Sequence, residues 1–219
     1  MKNNHEDSST TSPLQTIRAL QSNKKLTNVH VKDFERGTFI THLAKPNNNL
    51  YILLKGSAKI YKHHENGKRA ILHFIQEGEY IGELGLLSVE TQTKDVVAQR
   101  QCSCLVIPFE SNKDVLMNDI LFLKSLSTYL AQKLLSRTDR LSEELNYPLI
   151  KRFSRFILTT EHENLYEEKH VEVAEYLNVS YRHLLYTLQQ LCAKGIVVKE
   201  GSNYRILNRK QLMKLADYF

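Results

Sequence analysis

Cysteine is scarce in this chain of 219 residues: Cys102, Cys104 and Cys192 are all it has. Three thiols at such spacings build no disulfide framework, which sets aside the small oxidised scaffolds of secreted proteins. Long apolar runs are missing as well. None approaches membrane-spanning length, and residues 1–25 lack the apolar core of a secretory signal. The expectation is a reduced, cytoplasmic protein with no membrane partner. No His-x-His occurs, so the ligand pattern of a metal-dependent cupin barrel is absent, and no nucleophile stands beside a base. The chain reads as a non-enzyme with no metal centre. It also has no low-complexity tract and no long internal repeat.

What is present begins with charge. The formal net charge is +6, and residues 169–219 carry eight Lys or Arg against four Asp or Glu. That favours a polyanionic partner at the carboxy-terminal end, although a solvated surface would account for much of it. Hydrophobic residues make up 42% of the sequence, enough to bury a core in two modest domains.

Residues 1–13 are polar and expected to be disordered, while Leu14, Ile17 and Leu20 recur as in a short amphipathic helix. From Val29 to Phe109 short apolar runs alternate with turn residues: TFITHL, NLYILLKG, SAKIYKHH, RAILHFI, EYIGEL, KDVVAQ and CSCLVIPF. Gly37, Gly56 and Gly78 mark joints, and Asn66-Gly67 is a hairpin signal. This predicts an antiparallel barrel or sandwich of about eight strands. From Asp114 the period turns helical. Leu123, Leu126, Leu130, Leu134, Leu141 and Leu145 form an apolar seam on a helix of nearly thirty residues, which suggests pairing with a second copy. Tyr147-Pro148 ends it, and a further helix spans residues 149–160.

The stretch KHVEVAEYLNVSYRHLLYTLQQLCAK, residues 169–194, reads as two short helices meeting at a tight turn. Val171, Val173, Ala174 and Leu177 supply the apolar face of the first. Asn178 tolerates the left-handed backbone such a bend needs, Val179 plugs the corner, and Ser180 caps the second helix. Leu184, Leu185, Leu188 and Leu191 point inward, leaving Tyr181, Arg182, Tyr186 and Gln189 nearer the outer face. An ordinary helical hairpin would look similar. Yet Gly195 to Lys199, a turn at 200–203 and Tyr204 to Leu207 then read as a two-stranded wing, and Asn208 caps a last helix carrying Leu212, Leu215 and Ala216. Helix-turn-helix followed by wing points to double-stranded DNA.

The order of these parts, and the run Gly78-Glu79-Tyr80-Ile81-Gly82-Glu83-Leu84-Gly85-Leu86-Leu87, resemble the Crp/Fnr family of bacterial transcription regulators, and VSYRHLLYTLQQL looks like its YeiL-like branch. The resemblance covers nearly everything after residue 25. It implies an α+β fold: a flexible arm at 1–25, an antiparallel, jelly-roll-like β-roll of cyclic-nucleotide-binding type at 26–112, a dimerisation helix at 113–146 and a winged helix-turn-helix at 147–219.

The resemblance also implies a homodimer, with Leu123, Leu126, Leu130, Leu134 and Leu141 at its interface. Gly82, Glu83, Leu84 and Gly85, with Thr93 and Lys94, stand where relatives hold a small effector. Cyclic-nucleotide-binding relatives place Arg followed by Ser or Thr on the phosphate; here those positions hold Thr93 and Lys94, or Lys94 and Asp95, so the resemblance does not extend to cAMP. Another small effector, or a roll that is only structural or touches RNA polymerase, stays open. For DNA, the resemblance points to Ser180, Tyr181, Arg182 and Tyr186 on the second helix. Arg182 is the candidate for a bidentate contact with guanine. Tyr186 replaces a base-reading Arg, so the family's usual half-site is not carried over. Lys169, Lys199 and Arg205 are expected on the phosphate backbone. With no cysteine in residues 1–101, an amino-terminal iron–sulfur cluster is not expected, and Cys102 and Cys104 read as buried structural residues sharing one strand face.

Overall fold

The structure is a computed structural model that describes residues 13–22, 24–63, 69–90 and 92–217. The disorder expected at 1–13 therefore falls almost wholly outside the described residues, as does the Asn66-Gly67 turn. The chain divides into two compact units, residues 1–63 with 72–134 and residues 64–71 with 135–219.

The first unit is built on eight strands: β1 (His30–Phe34), β2 (Phe39–Thr41), β3 (Asn49–Lys55), β4 (Ala58–His63), β5 (Arg69–Ile75), β6 (Tyr80–Ile81), β7 (Asp95–Ala98) and β8 (Cys102–Pro108). They form two four-stranded antiparallel sheets, ordered β1-β8-β3-β6 and β2-β7-β4-β5. β3 and β8 are apolar at nearly every position because both of their faces are covered. Tyr51, Leu53, Cys104 and Val106 join one core with Ile40, Ile75 and Val96. Leu50, Ile52, Leu105 and Ile107 join a second core with residues from helices. Those helices are α1 (Pro13–Ser22), whose Ile17 and Leu20 are buried, α3 (Phe109–Met117) and the start of α4 (Ile120–Asn146); α2 (Glu83–Leu86) is a single turn behind β6. Within the arm expected at 1–25, residues 13–22 are an anchored helix, and residues 1–12 lie outside the described residues.

The helix expected over 113–146 is in fact two. α3 stops at Met117, and Asp119 restarts the chain: its Oδ1 accepts from the amides of Leu121 and Phe122 at 3.1 and 3.0 Å, in the manner of an N-cap. An Asp within an apolar period reads as a surface position in sequence, which hides the break.

The second unit holds the distal part of α4, α5 (Leu149–Thr160), α6 (His170–Tyr176), α7 (Tyr181–Ala193), α8 (Arg209–Leu215) and a three-stranded sheet ordered β10-β11-β9 (Val197–Glu200, Asn203–Ile206, Leu165–Tyr166). Pro148 sits at the N-cap of α5 and Asn208 accepts from the Gln211 amide at 3.0 Å to cap α8, both where the sequence places a boundary. The third strand, β9, leaves no signal in the sequence; two residues are too few to show alternation. No helix among the described residues is long and apolar enough to cross a membrane.

Candidate functional site

The turn between α6 and α7 is held at several points. Asn178 adopts φ +54°, the left-handed conformation expected of it. The Val179 amide donates to Ala174 O at 2.9 Å, and the Arg152 guanidinium, from α5, donates to Leu177 O at 2.7 Å, satisfying a carbonyl at the end of α6. Ser180 Oγ accepts from the His183 amide at 3.2 Å and fixes the start of α7. Val173, Ala174, Leu177, Leu184, Leu188 and Leu191 are buried. Two expectations need correcting. Val171 is 58% exposed, and Leu185 is only half-buried, because α7 turns Thr187 into the interior instead, its hydroxyl donating to His183 O at 3.0 Å.

α7 therefore has a wet side. Tyr181, Arg182, Tyr186 and Gln189 are exposed, with Arg182, Tyr186 and Gln189 at successive turns. Arg182 has no ion pair or hydrogen bond among the described residues. Lys169, at the N-cap of α6, and Lys199, on β10, are exposed as well. Arg205 differs: its guanidinium grips Glu200 in a two-pronged fork, Nε–Oε1 2.6 Å and Nη2–Oε2 2.8 Å, so it clasps the wing instead of extending from it. Behind the wing, His170 stacks on Tyr166 and tilts against Tyr204, at centroid distances of 6.0 and 5.5 Å. Burial, aided by the charge of Lys199, lowers its pKa.

The second candidate site is the turn at Gly82 in the first unit. Gly82 has φ +90°, and a Cβ there would come within 2.6 Å of Asn49 O and closer still to the Asn47 side chain. Its smallness serves the fold. Gly85 would meet only Phe109 Cε2, at 3.8 Å, so that position is free of crowding from the chain itself. Glu83 is 5% exposed, and its Oε1 is 2.9 Å from Lys133 Nζ of α4. Lys133 also donates to the Tyr129 hydroxyl at 3.1 Å and lies over that ring at 5.1 Å. Lys94 is paired with Glu90, and its carbonyl accepts from Thr41 Oγ1 at 2.8 Å. Asp95 is buried beside them: its carboxylate accepts from the Leu43 amide at 2.8 Å and meets His63 Nε2 at 2.6 Å. Burial works to raise its pKa, but the Leu43 amide and the His63 ring outweigh burial and hold it below the usual carboxylate range. Thr93 and Leu84 are half-buried. Lys133 and Lys94 are thus each paired with a carboxylate.

Cys102 and Cys104 are fully buried on the shared face of β8; burial raises both thiols, that of Cys104 to about 12, far from a reactive thiolate. Among the described residues no group of three or more His, Cys, Asp or Glu is disposed to hold a metal ion.

On α4, Leu126 is a correction. It is 2% exposed and packed in its own roll's core; Leu123 and Leu130 pack partly against the same core. Past them Leu134, Leu135, Leu141 and Leu145 are 66%, 64%, 60% and 86% exposed. Sequence reasoning missed Lys133, because a lysine on a long helix reads as surface; the stripe of Phe122, Leu126 and Tyr129, continued by one more turn, was the available signal.

Residues 31–119 match the cyclic nucleotide-binding domain family. Over 167 residues the chain is 38% identical to regulatory protein YeiL of Escherichia coli O157:H7, covering 76% of each. It is 28% identical over 111 residues to the cAMP-activated global transcriptional regulator CRP of Salmonella typhimurium, covering 50% of this chain and 52% of that one. A solved CRP/FNR-family transcriptional regulator from Thermus thermophilus shares the fold, with a TM-score of 0.71 at 20% identity over 86% of this chain and 98% of that one.

Proposed function

Because the chain belongs to the Crp/Fnr family of transcriptional regulators, we propose that it regulates transcription as a homodimer that reads double-stranded DNA with α7. Its relatives are regulators, not enzymes. The observation that carries the reading is the division of α7: Leu184, Leu188 and Leu191 are buried while Tyr181, Arg182 and Tyr186 stand exposed beside a capped first turn. Such a helix presents its amino-terminal side chains to base edges in the major groove. Arg182 reads a guanine; Ser180, Tyr181, Lys169 and Lys199 hold phosphates, which position the protein without reading sequence. Arg205 supports the wing. Tyr186 sets a preference of its own.

Dimerisation is assigned to Leu134, Leu141 and Leu145, one exposed stripe of α4, with Leu135 at its edge. Two copies of α7 then meet half-sites about one helical turn apart, in the cytoplasm. Selection from a random duplex library with the purified protein tests this: enrichment of a two-half-site motif is expected, and no enriched motif at low salt would sink the reading.

The cAMP activation named for the Salmonella relative is not carried to this chain, since Lys94 is held by Glu90 and the neighbouring position is Thr93. A second reading, of a regulator that needs no ligand and uses its roll for structure or for contact with RNA polymerase, is favoured by the occupation of Glu83 by Lys133. Calorimetric titration with a panel of nucleotides and metabolites, run beside DNA affinity, separates it from a small-effector sensor.

A further inference from the structure

We propose that the Lys133–Glu83 ion pair is a built-in latch, by which α4's own ammonium fixes the helix on the Gly82 turn without a bound ligand and thereby sets DNA affinity. The inference rests on the DNA-binding reading above and deepens it by naming how the roll acts on the helix.

Its first support is place. α4 faces the roll through Phe122, Leu126, Tyr129 and Lys133, at steps of four, three and four residues. The first two are buried apolar groups. The last is a charge, and Leu134, Leu135, Leu141 and Leu145 beyond it stand exposed. The limit of the first compact unit falls one residue later, after Leu134.

The second support is how completely the ammonium is held. Glu83 Oε1 lies at 2.9 Å, the Tyr129 hydroxyl at 3.1 Å and the Tyr129 ring at 5.1 Å, while the side chains of Lys133 and Glu83 are 11% and 7% exposed. The Tyr129 ring meets Tyr80 edge-on at 5.1 Å, so the same cluster reaches β6. Glu79, on the segment leading into β6, also feels the Lys133 charge.

The third support is the chemistry chosen. An apolar side chain at 133 would hold α4 on the roll with no desolvation cost. A buried ion pair is a weak stabiliser against such a replacement but costs heavily to break from one side. That asymmetry suits a contact that is either made or released as a unit. It also leaves Glu83, the one buried carboxylate of the turn, already neutralised.

The test uses the full-length protein with no ligand added. Lys133→Met keeps length and packing but strips the charge, Lys133→Arg keeps the charge, and the double variant Glu83→Gln with Lys133→Met removes both charges and leaves none buried alone. Hydrogen–deuterium exchange is followed at the amides of 129–134 and 83–87, with β3 and β8 as internal reference, and affinity is measured for a duplex obtained by selection. Exchange at least tenfold faster in both segments together is expected in Lys133→Met, where Glu83 is left buried alone, with β3 and β8 unchanged and the double variant back near wild type. Affinity should fall about tenfold in Lys133→Met and return in the double variant, and Lys133→Arg should keep each readout near wild type. The latch is overturned if exchange changes only at the substituted segment or nowhere, or if affinity is unchanged or tighter once exchange has loosened. A wild-type protein that binds no duplex, while Lys133→Met still loosens the two segments together, defeats the DNA-binding reading and the effect on affinity but leaves the contact of α4 with the Gly82 turn.

Discussion

At single positions, the chain's departures from average chemistry have identifiable causes. Gly82 is required by a positive φ and by the nearness of Asn49 O and the Asn47 side chain. Gly82→Ala should destabilise the first unit by about 1–3 kcal/mol, the range for a side chain held in a sparsely allowed conformation; urea unfolding followed by tyrosine fluorescence reads the change. Asp95 offers a pH test. Its native pKa lies below its ordinary value of 3.8, so the unfolded chain takes up the proton first. The stability this provides is whole above the unfolded value and is lost as pH falls through the native one. Melting temperature should therefore drop more steeply below about pH 4 in the wild type than in Asp95→Asn. Equal slopes would show that His63 and the Leu43 amide are not holding the carboxylate. Ser180 as a cap and Asn178 as a left-handed corner were legible in sequence, because both roles follow from local backbone chemistry. The fork of Arg205 with Glu200 and the burial of Leu126 were not, because each depends on what another element brings alongside.

Among elements, α4 carries the most. Its start is set by Asp119, whose carboxylate is kept below the usual range first by the Phe122 amide. Asp119→Ala should cost about 0.5–2 kcal/mol, the worth of an N-cap, measurable in the same unfolding curves. Its exposed stripe makes a different prediction. Leu141→Glu places a charge where a partner's leucines would pack, yet 60% exposure means the folded protomer gives it up easily. Sedimentation should find a folded monomer with weakened DNA binding; a dimer of unchanged strength would remove α4's leucines from the interface. β3, β4, β7 and β8 were legible nearly end to end, since they carry either alternation or a short apolar run bounded by turns, whereas β1 and β9 were not. The helix boundary at residues 118–119 was not. One capping Asp interrupts a leucine period too briefly for periodicity to register it.

For the whole molecule, what matters is which charges remain available to a polyanion. Several basic side chains are internally paired: Lys94 with Glu90, Lys133 with Glu83, Arg205 with Glu200, Arg209 with Glu161. Each such pair sums to zero, so the net charge of +6 is carried by cations outside these pairs. Lys169, Lys199 and Arg182 are exposed, on or beside the reading helix and wing, and they do two kinds of work that salt separates. Neutralising a phosphate releases counterions, so Lys199→Ala should weaken binding to every duplex alike and lower the slope of log affinity against log salt by about 1 for each phosphate left unneutralised. Arg182→Ala should instead cost about 1–3 kcal/mol on the selected site, little on random DNA, and relax the motif at one base position in each half-site. Binding isotherms for both variants at several salt concentrations, beside a repeated selection with Arg182→Ala, distinguish the roles. An unchanged motif would reassign Arg182 to the backbone. The reading of base edges would then fall to Tyr181 and Tyr186, whose rings and hydroxyls discriminate bases less sharply than a guanidinium fork.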